Sequence, residues 1–216
     1  GYGTVQIIDS IDFNNLKKNS KWIVGYSDVT VLHSHLNNLG IASLHATMPI
    51  NFKSNTKESL SSLKKSLFGN LNSIECKAHP LNKFGKIVGH IVGGNLSILY
   101  SLLGSQSDID TTSKILFIED LDEYLYHIDR MMISLKRNGM LSKLKGLIVG
   151  GMSDMNDNSI SFGKTAEQII LDYTKDYDFP ICFGFPAGHL SDNRGVRLGI
   201  NSVLEISKNG VSLCQE

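Results

Sequence analysis

Three polar clusters interrupt apolar runs of this chain, and together they hold the parts of a nucleophilic site. Ser27 stands in Gly25-Tyr26-Ser27-Asp28, directly after Trp22-Ile23-Val24 and before a helical pattern. Glu119-Asp120-Leu121-Asp122-Glu123 follows Ile115-Leu116-Phe117-Ile118, and Pro186-Ala187-Gly188-His189 follows the run from Pro180 to Phe185. A serine hydroxyl is unreactive until a base takes its proton. Imidazole is that base near neutral pH, and a carboxylate fixes its tautomer and stabilises its cation. A serine on a sharp strand-to-helix turn projects its hydroxyl out of the sheet, and the helix behind it aims free N–H groups and a positive dipole end at the bond attacked. Because sites in α/β sheets gather at the carboxyl ends of strands, the three clusters predict a serine hydrolase if those ends converge.

Each cluster also has a reading without catalysis. Ser27 could cap the helix, the acidic run could be a solvated loop or helix start, and His189 could bond backbone in its glycine-rich loop. The order Ser, Glu, His occurs in α/β-hydrolases, but those want Gly-x-Ser-x-Gly and Val29 holds the second glycine position. A metal-dependent hydrolase built on Glu119, Asp120, Asp122 and Glu123 is a further alternative, although hard-cation sites need more ordered oxygen ligands. His33 and His35 lie two apart on a helix and do not share a face. His45, His79, His90 and His127 are scattered without zinc spacing. Gly93-Gly94-Asn95 before a helix is a weak signal for an anion-binding turn. No metal site and no cofactor is expected.

The elements that must position these residues read as alternating strands and helices. Lys21 to Gly25 predicts a buried strand and Asp28 to Leu39 a helix, with Val29, Leu32, Leu36 and Leu39 on one face and Gly40 as its stop. Ile41 to His45 is another short strand. From Asn51 to Asn72 the chain turns polar around a Leu60, Leu63, Leu67 stripe, which predicts a connector with a loose helix. Strands follow at Ile87 to Val92, Ile115 to Ile118, Leu147 to Val149 and Pro180 to Phe185. Asn95 caps a helix to Leu103; further helices cover Glu123 to Arg137 and Thr165 to Tyr173. Lys208-Asn209-Gly210 between Ser202–Ser207 and Val211–Cys214 predicts a hairpin. The expectation is an α/β chain with a mixed sheet in its second part and no internal repeat.

Bulk properties exclude several classes. The 216 residues carry 21 Lys and Arg against 21 Asp and Glu, so there is no basic field to recommend nucleic acid or an anionic membrane. No apolar stretch approaches the ~18–20 residues of a membrane span. The opening Gly1-Tyr2-Gly3-Thr4 has no charged-then-apolar leader. Cys76, Cys182 and Cys214 are odd in number and far apart, which favours a reducing, cytoplasmic compartment over a disulfide framework, and Cys182 reads as a small apolar strand residue.

In order along the chain, these segments resemble the LD-carboxypeptidases, a serine peptidase family that includes the microcin-C self-immunity peptidases. Gly1-Tyr2-Gly3 looks like the tail of the family's Arg-Gly-Gly-Tyr-Gly loop, and Val24-Gly25-Tyr26-Ser27-Asp28-Val29-Thr30 resembles its nucleophile turn. Gly93-Gly94-Asn95-Leu96-Ser97 matches the segment that opens the second domain. Leu116-Phe117-Ile118-Glu119-Asp120, with Tyr126 and Ile128-Asp129-Arg130-Met131, matches the segment of the acidic member. Gly188-His189-Leu190-Ser191-Asp192-Asn193, with Leu198-Gly199, resembles the histidine loop.

That resemblance implies Ser27 as nucleophile, His189 as general base and Glu119 as the orienting carboxylate, with the oxyanion met by N–H groups of Asp28 and of the Gly1 to Gly3 loop. It implies a flavodoxin-like N-terminal domain, a remnant of which is residues 1–52, a connector at 53–82, and a swivelling β/α domain with a mixed sheet at 83–216. The family's earlier strands are not among these residues, so exposed strand edges and apolar surface are expected. The implied reaction releases terminal D-alanine from murein tetrapeptides in cell-wall recycling, on a small muropeptide and as a homodimer. Its alternative is a microcin-C-type peptidase acting on aminoacyl- or peptidyl-adenylate analogues; the compact stretch between Ser27 and Glu119 favours the murein reading. A catalytically dead relative that binds muropeptide is the non-enzymatic alternative. His45-Ala46-Thr47 departs from a frequent His-Gly-Pro, and Arg197, Leu125 and His127 also depart from common family residues, which puts substrate contacts in doubt rather than the reaction class. Arg130, Arg194 and Arg197 are open between binding the substrate's carboxylate and making structural ion pairs.

Overall fold

Helices α1 (Thr4–Ile7) and α2 (Asn14–Lys18) precede a short strand β1 (Val24–Gly25), helix α3 (Thr30–Asn38) and strand β2 (Ser43–His45). The computed structural model describes residues 1, 3–69 and 72–215. Next come α4 (Lys57–Leu67), β3 (Asn72–Cys76), β4 (Gly85–Asn95), α5 (Leu96–Ser101), β5 (Ile115–Leu121) and α6 (Leu125–Arg137). The chain continues through β6 (Gly146–Ser153), α7 (Ala166–Thr174), β7 (Ile181–Cys182), β8 (Val196–Leu198), β9 (Asn201–Ser207) and β10 (Gly210–Gln215). The strands form two sheets, a small one ordered β1-β2-β8 and a large mixed one ordered β3-β10-β9-β4-β5-β6-β7.

In the large sheet β4, β5, β6 and β7 run parallel, and β9, β10 and β3 continue from β4 as antiparallel neighbours, of which β9 and β10 form a hairpin. The run Ile115-Leu116-Phe117-Ile118 is buried on both faces, as parallel strands are. Leu116 and Ile118 join Leu99 of α5, Ile128 and Met132 of α6 and Ile169 of α7 in one core. Ile115 and Phe117 point to the opposite core with Ile148, Phe185, Val196 and Leu204. The alternation of side chains along a strand divides the residues this way. The helices start where the sequence supplies a cap: Asn95 Oδ1 accepts from Ile98 N, Thr56 Oγ1 from Ser59 N, and Thr165 with Gln168 forms a capping box.

Several expectations are corrected. The polar stretch after Asn51 contains the expected helix, α4, eleven residues long, but is followed by a strand that was not expected: β3 pairs with β10, Val211 opposite Cys76. The period-2 burial of Ser73-Ile74-Glu75 is a strand signal hidden by its polar composition. Gly93 and Gly94 lie inside β4 and form no turn: a Cβ on Gly93 would fall 1.9 Å from Phe117 O and one on Gly94 2.5 Å from Thr30 Oγ1. They let β4 approach β5 and α3 more closely than any side chain would allow. The strand expected from Pro180 to Phe185 stops at Cys182. Gly184 takes φ 67° and Pro186 has no N–H to give a ladder, yet Phe185 N still bonds Val149 O at 3.1 Å.

Strand β8 completes the small sheet from far along the chain, pairing Leu44 with Arg197. Gly199 N then bonds Ile91 O at 2.7 Å, which stitches the two sheets together. At the other end of the small sheet β1 is an edge strand, and Trp22, Ile7 and Ile11 are exposed. No described helix is long and apolar enough to cross a membrane.

Candidate active site

The turn after β1 is clamped from two sides. Gly25 O accepts from Ala46 N at 3.1 Å and from the buried His33 Nε2 at 3.0 Å, so β2 and α3 both fix the carbonyl two residues before Ser27. Ser27 itself has φ 61°, in the left-handed region where a serine is strained. Ser27–Val29 forms one tight helical turn ahead of α3, closed by Val29 N to Tyr26 O. Asp28 turns its carboxylate away: Oδ2 accepts from Thr4 N and Thr4 Oγ1 at 3.0 and 2.7 Å. This ties the opening segment to the turn, and a Cβ on Gly1 would lie 3.6 Å from Asp28 Cβ. Tyr2 of that loop lies outside the described residues.

The acidic run does not follow β5 but continues it, and its members part company. Glu119 is wholly buried, and its Oε2 accepts from His189 Nδ1 at 2.7 Å and from His189 N at 3.2 Å. Nδ1 therefore carries the proton and Nε2 is left as the basic nitrogen. Burial pushes the Glu119 carboxyl up, but His189 and, across a wider gap, His45 outweigh it and hold it at about 2. Asp120 points the other way and accepts from Asn95 Nδ2, Ser97 N and Leu121 N, anchoring the start of α5. Burial, with the Glu119 charge adding to it and those donors opposing it, raises Asp120 to about 7. Asp122 holds Asn156 and Glu123 holds His127, and among the described residues no group of three or more His, Cys, Asp or Glu could hold a metal.

The histidine loop is pinned on three sides. Gly188 N donates to Asn193 Oδ1 at 3.0 Å, His189 O accepts from Ser153 Oγ at 2.9 Å, and Gly188 lies directly on the glutamate. The Tyr26 ring stands edge-on to the His189 ring with centroids 4.8 Å apart, while its hydroxyl donates to Asn51 Oδ1. Burial and the Glu119 charge raise the Tyr26 pKa. The residue next to Ser27 thus packs against the imidazole that Glu119 orients. The structure thus joins Glu119 to His189 and brings the strained serine turn to the imidazole through Tyr26, while among the described residues Ser27 makes no side-chain hydrogen bond to His189.

The arginines make internal contacts. Arg194 pairs with Asp192 and donates to Glu75 O, Arg197 donates to Lys65 O and Ser66 O at the end of α4, and Arg130 lies over the Tyr126 ring. His33 and His45, which the sequence offers only as histidines without metal spacing, are both fully buried behind the turn. A lone histidine ending an apolar strand gives no spacing signal, and only burial reveals it.

The model of the LD-carboxypeptidase C-terminal domain matches residues 88–204, and that of the N-terminal domain residues 1–46. The chain belongs to the LD-carboxypeptidase family. This LD-carboxypeptidase chain is 34% identical to the "Probable murein peptide carboxypeptidase" of Bacillus subtilis, over 96% of itself and 67% of that protein. It superposes on the muramoyltetrapeptide carboxypeptidase of Oxalobacter formigenes with a TM-score of 0.90 and 27% identity, covering 99% of this chain and 75% of the other. The microcin C7 self-immunity protein MccF shares the fold, with a TM-score of 0.85 at 19% identity over 100% of this chain and 74% of that one. By sequence, MccF of Escherichia coli is 26% identical over 61% of this chain and 38% of its own length. The chain spans about two thirds of the length of the murein relative.

Proposed function

We propose that this LD-carboxypeptidase family member is a serine peptidase in which Ser27 attacks, His189 is the general base and Glu119 orients it. Its substrate is a murein tetrapeptide, cut between the L-centre of the diamino acid and the terminal D-alanine. The observation that carries the reading is the 2.7 Å contact of Glu119 with His189 Nδ1, with the imidazole packed on Tyr26, the neighbour of a Ser27 held at φ 61°.

Ser27 Oγ adds to the scissile carbonyl as His189 Nε2 takes its proton. The oxyanion is met by the N–H of Asp28 and one from the Gly1–Gly3 loop, donors worth roughly 2.7–4 kcal/mol each in such sites. His189 returns the proton to the D-alanine amine, which leaves. Water then attacks the acyl-serine, giving its proton to His189, and Ser27 departs as the hydroxyl. Glu119 keeps its charge and stabilises the imidazolium. The names of the murein relatives support the substrate class, and the three free thiols fit a reducing cytoplasm, where this enzyme would recycle muropeptides as a homodimer.

The test offers the purified protein a murein tetrapeptide and an aminoacyl-sulfamoyl adenosine side by side. Release of D-alanine from the first and no cleavage of the second is expected. Cleavage of the adenosine conjugate alone would transfer the assignment to the microcin-type branch, and binding of muropeptide without turnover would make the protein a receptor.

A further inference from the structure

His45 ends β2 wholly buried, and neither of its ring nitrogens has a hydrogen-bond partner among the described residues. Glu119 Oε1 is also buried and without a hydrogen-bond partner among the described residues, and it stands 4.0 Å from His45 Nε2. A donor and a carboxylate oxygen, both removed from water and both unsatisfied, thus face each other across a gap about 1 Å wider than a hydrogen bond. The other carboxylate oxygen, Oε2, is already committed to His189.

Among the described residues His45 has no other charged neighbour at comparable distance. The rings of Phe117 of β5 and Tyr26 of the turn stand edge-on at 4.8 and 6.1 Å between centroids, and the His33 ring of α3 lies tilted at 6.3 Å. His33 is bonded through Nε2 to Gly25 O, and burial lowers it to about 3, so it is neutral. Among the described residues the titratable groups facing His45 are Glu119, His33 and Tyr26, with His189 beyond the carboxylate.

We propose that His45 is a positioning residue for the reaction. Its Nε2–H closes on Glu119 Oε1, so that the carboxylate is gripped between two imidazoles and Oε2 is held on His189 Nδ1. The last torsion of a glutamate is soft, and an oxygen without a donor lets the carboxylate rotate off the line to His189. This role rests on the triad assigned above.

The experiment compares wild type with His45→Gln, His45→Phe and His45→Asn. Glutamine can reach Oε1 with an N–H, phenylalanine fills the space without one, and asparagine is polar but one methylene too short. Three readouts are taken: the rate of Ser27 labelling by a fluorophosphonate, kcat and KM on a murein tetrapeptide, and the low-field proton resonance of His189 Nδ1–H. The phenylalanine and asparagine variants are expected to lose roughly 10- to 100-fold in kcat and labelling rate, with KM unchanged. Their low-field resonance should move or broaden, and glutamine should restore all three readouts to within about threefold of wild type. If phenylalanine does not fold, the contrast of glutamine with asparagine carries the same test. Wild-type kcat and resonance in the phenylalanine or asparagine variant would overturn the proposal, as would glutamine as impaired as they are. A wild-type protein that is not labelled at all would instead remove the triad reading, and this role with it.

Discussion

Gly188 lies so close to Glu119 that a Cβ on the glycine would stand 2.8 Å from both Cβ and Oε2 of the glutamate. With φ 115°, Gly188 also holds a backbone conformation that other residues rarely adopt. The loop can therefore deliver the His189 backbone N–H and imidazole to one carboxylate oxygen only because position 188 has no side chain. Gly188→Ala must push the loop off Glu119. It should lower kcat by at least 100-fold and cost about 1–3 kcal/mol in stability, read from steady-state kinetics and urea midpoints.

The acid side of the stability curve should report Glu119. Its carboxyl is held at about 2 in the folded chain, below its ordinary value of 4.5. A lowered folded pKa contributes stability that is complete above 4.5 and is lost as pH falls from there towards 2. Glu119→Gln should be less stable at pH 6 and show a flatter decline between pH 4.5 and 2, measured by urea denaturation at each pH. A decline as steep as that of wild type would assign the acid limb to other carboxylates.

Stability and activity should separate at a cap remote from the site. Thr165 and Gln168 satisfy each other's backbone N–H groups at the start of α7. Thr165→Ala should cost about 1 kcal/mol and leave kcat unchanged, read from the thermal midpoint and the same kinetic assay.

How far the sequence exposes this molecule depends on the range of each signal. Local chemistry was readable: Asn95 caps where expected, the helix expected from Thr165 starts there, and Asn209-Gly210 lies at the turn of the β9–β10 hairpin, because caps and turns involve residues a few positions apart. The polar residues that break apolar runs also stood out, since Ser27, Glu119 and His189 have no business in a core unless something answers them. The contacts that were missed run across the fold. Gly94 is glycine because Thr30 passes over it, Gly188 because of Glu119, and His45 of β2 comes within 4.0 Å of Glu119 of β5 only through the fold. Strand β3 hid behind polar composition, although alternate residues still face the core.

The most direct test of the catalytic assignment is turnover by Ser27→Ala alongside wild type on a murein tetrapeptide, with circular dichroism to verify folding. Wild type is expected to release D-alanine, and the folded variant to fall by at least 1,000-fold, roughly what removal of a triad nucleophile costs elsewhere. A folded Ser27→Ala that releases D-alanine at the wild-type rate would contradict the account.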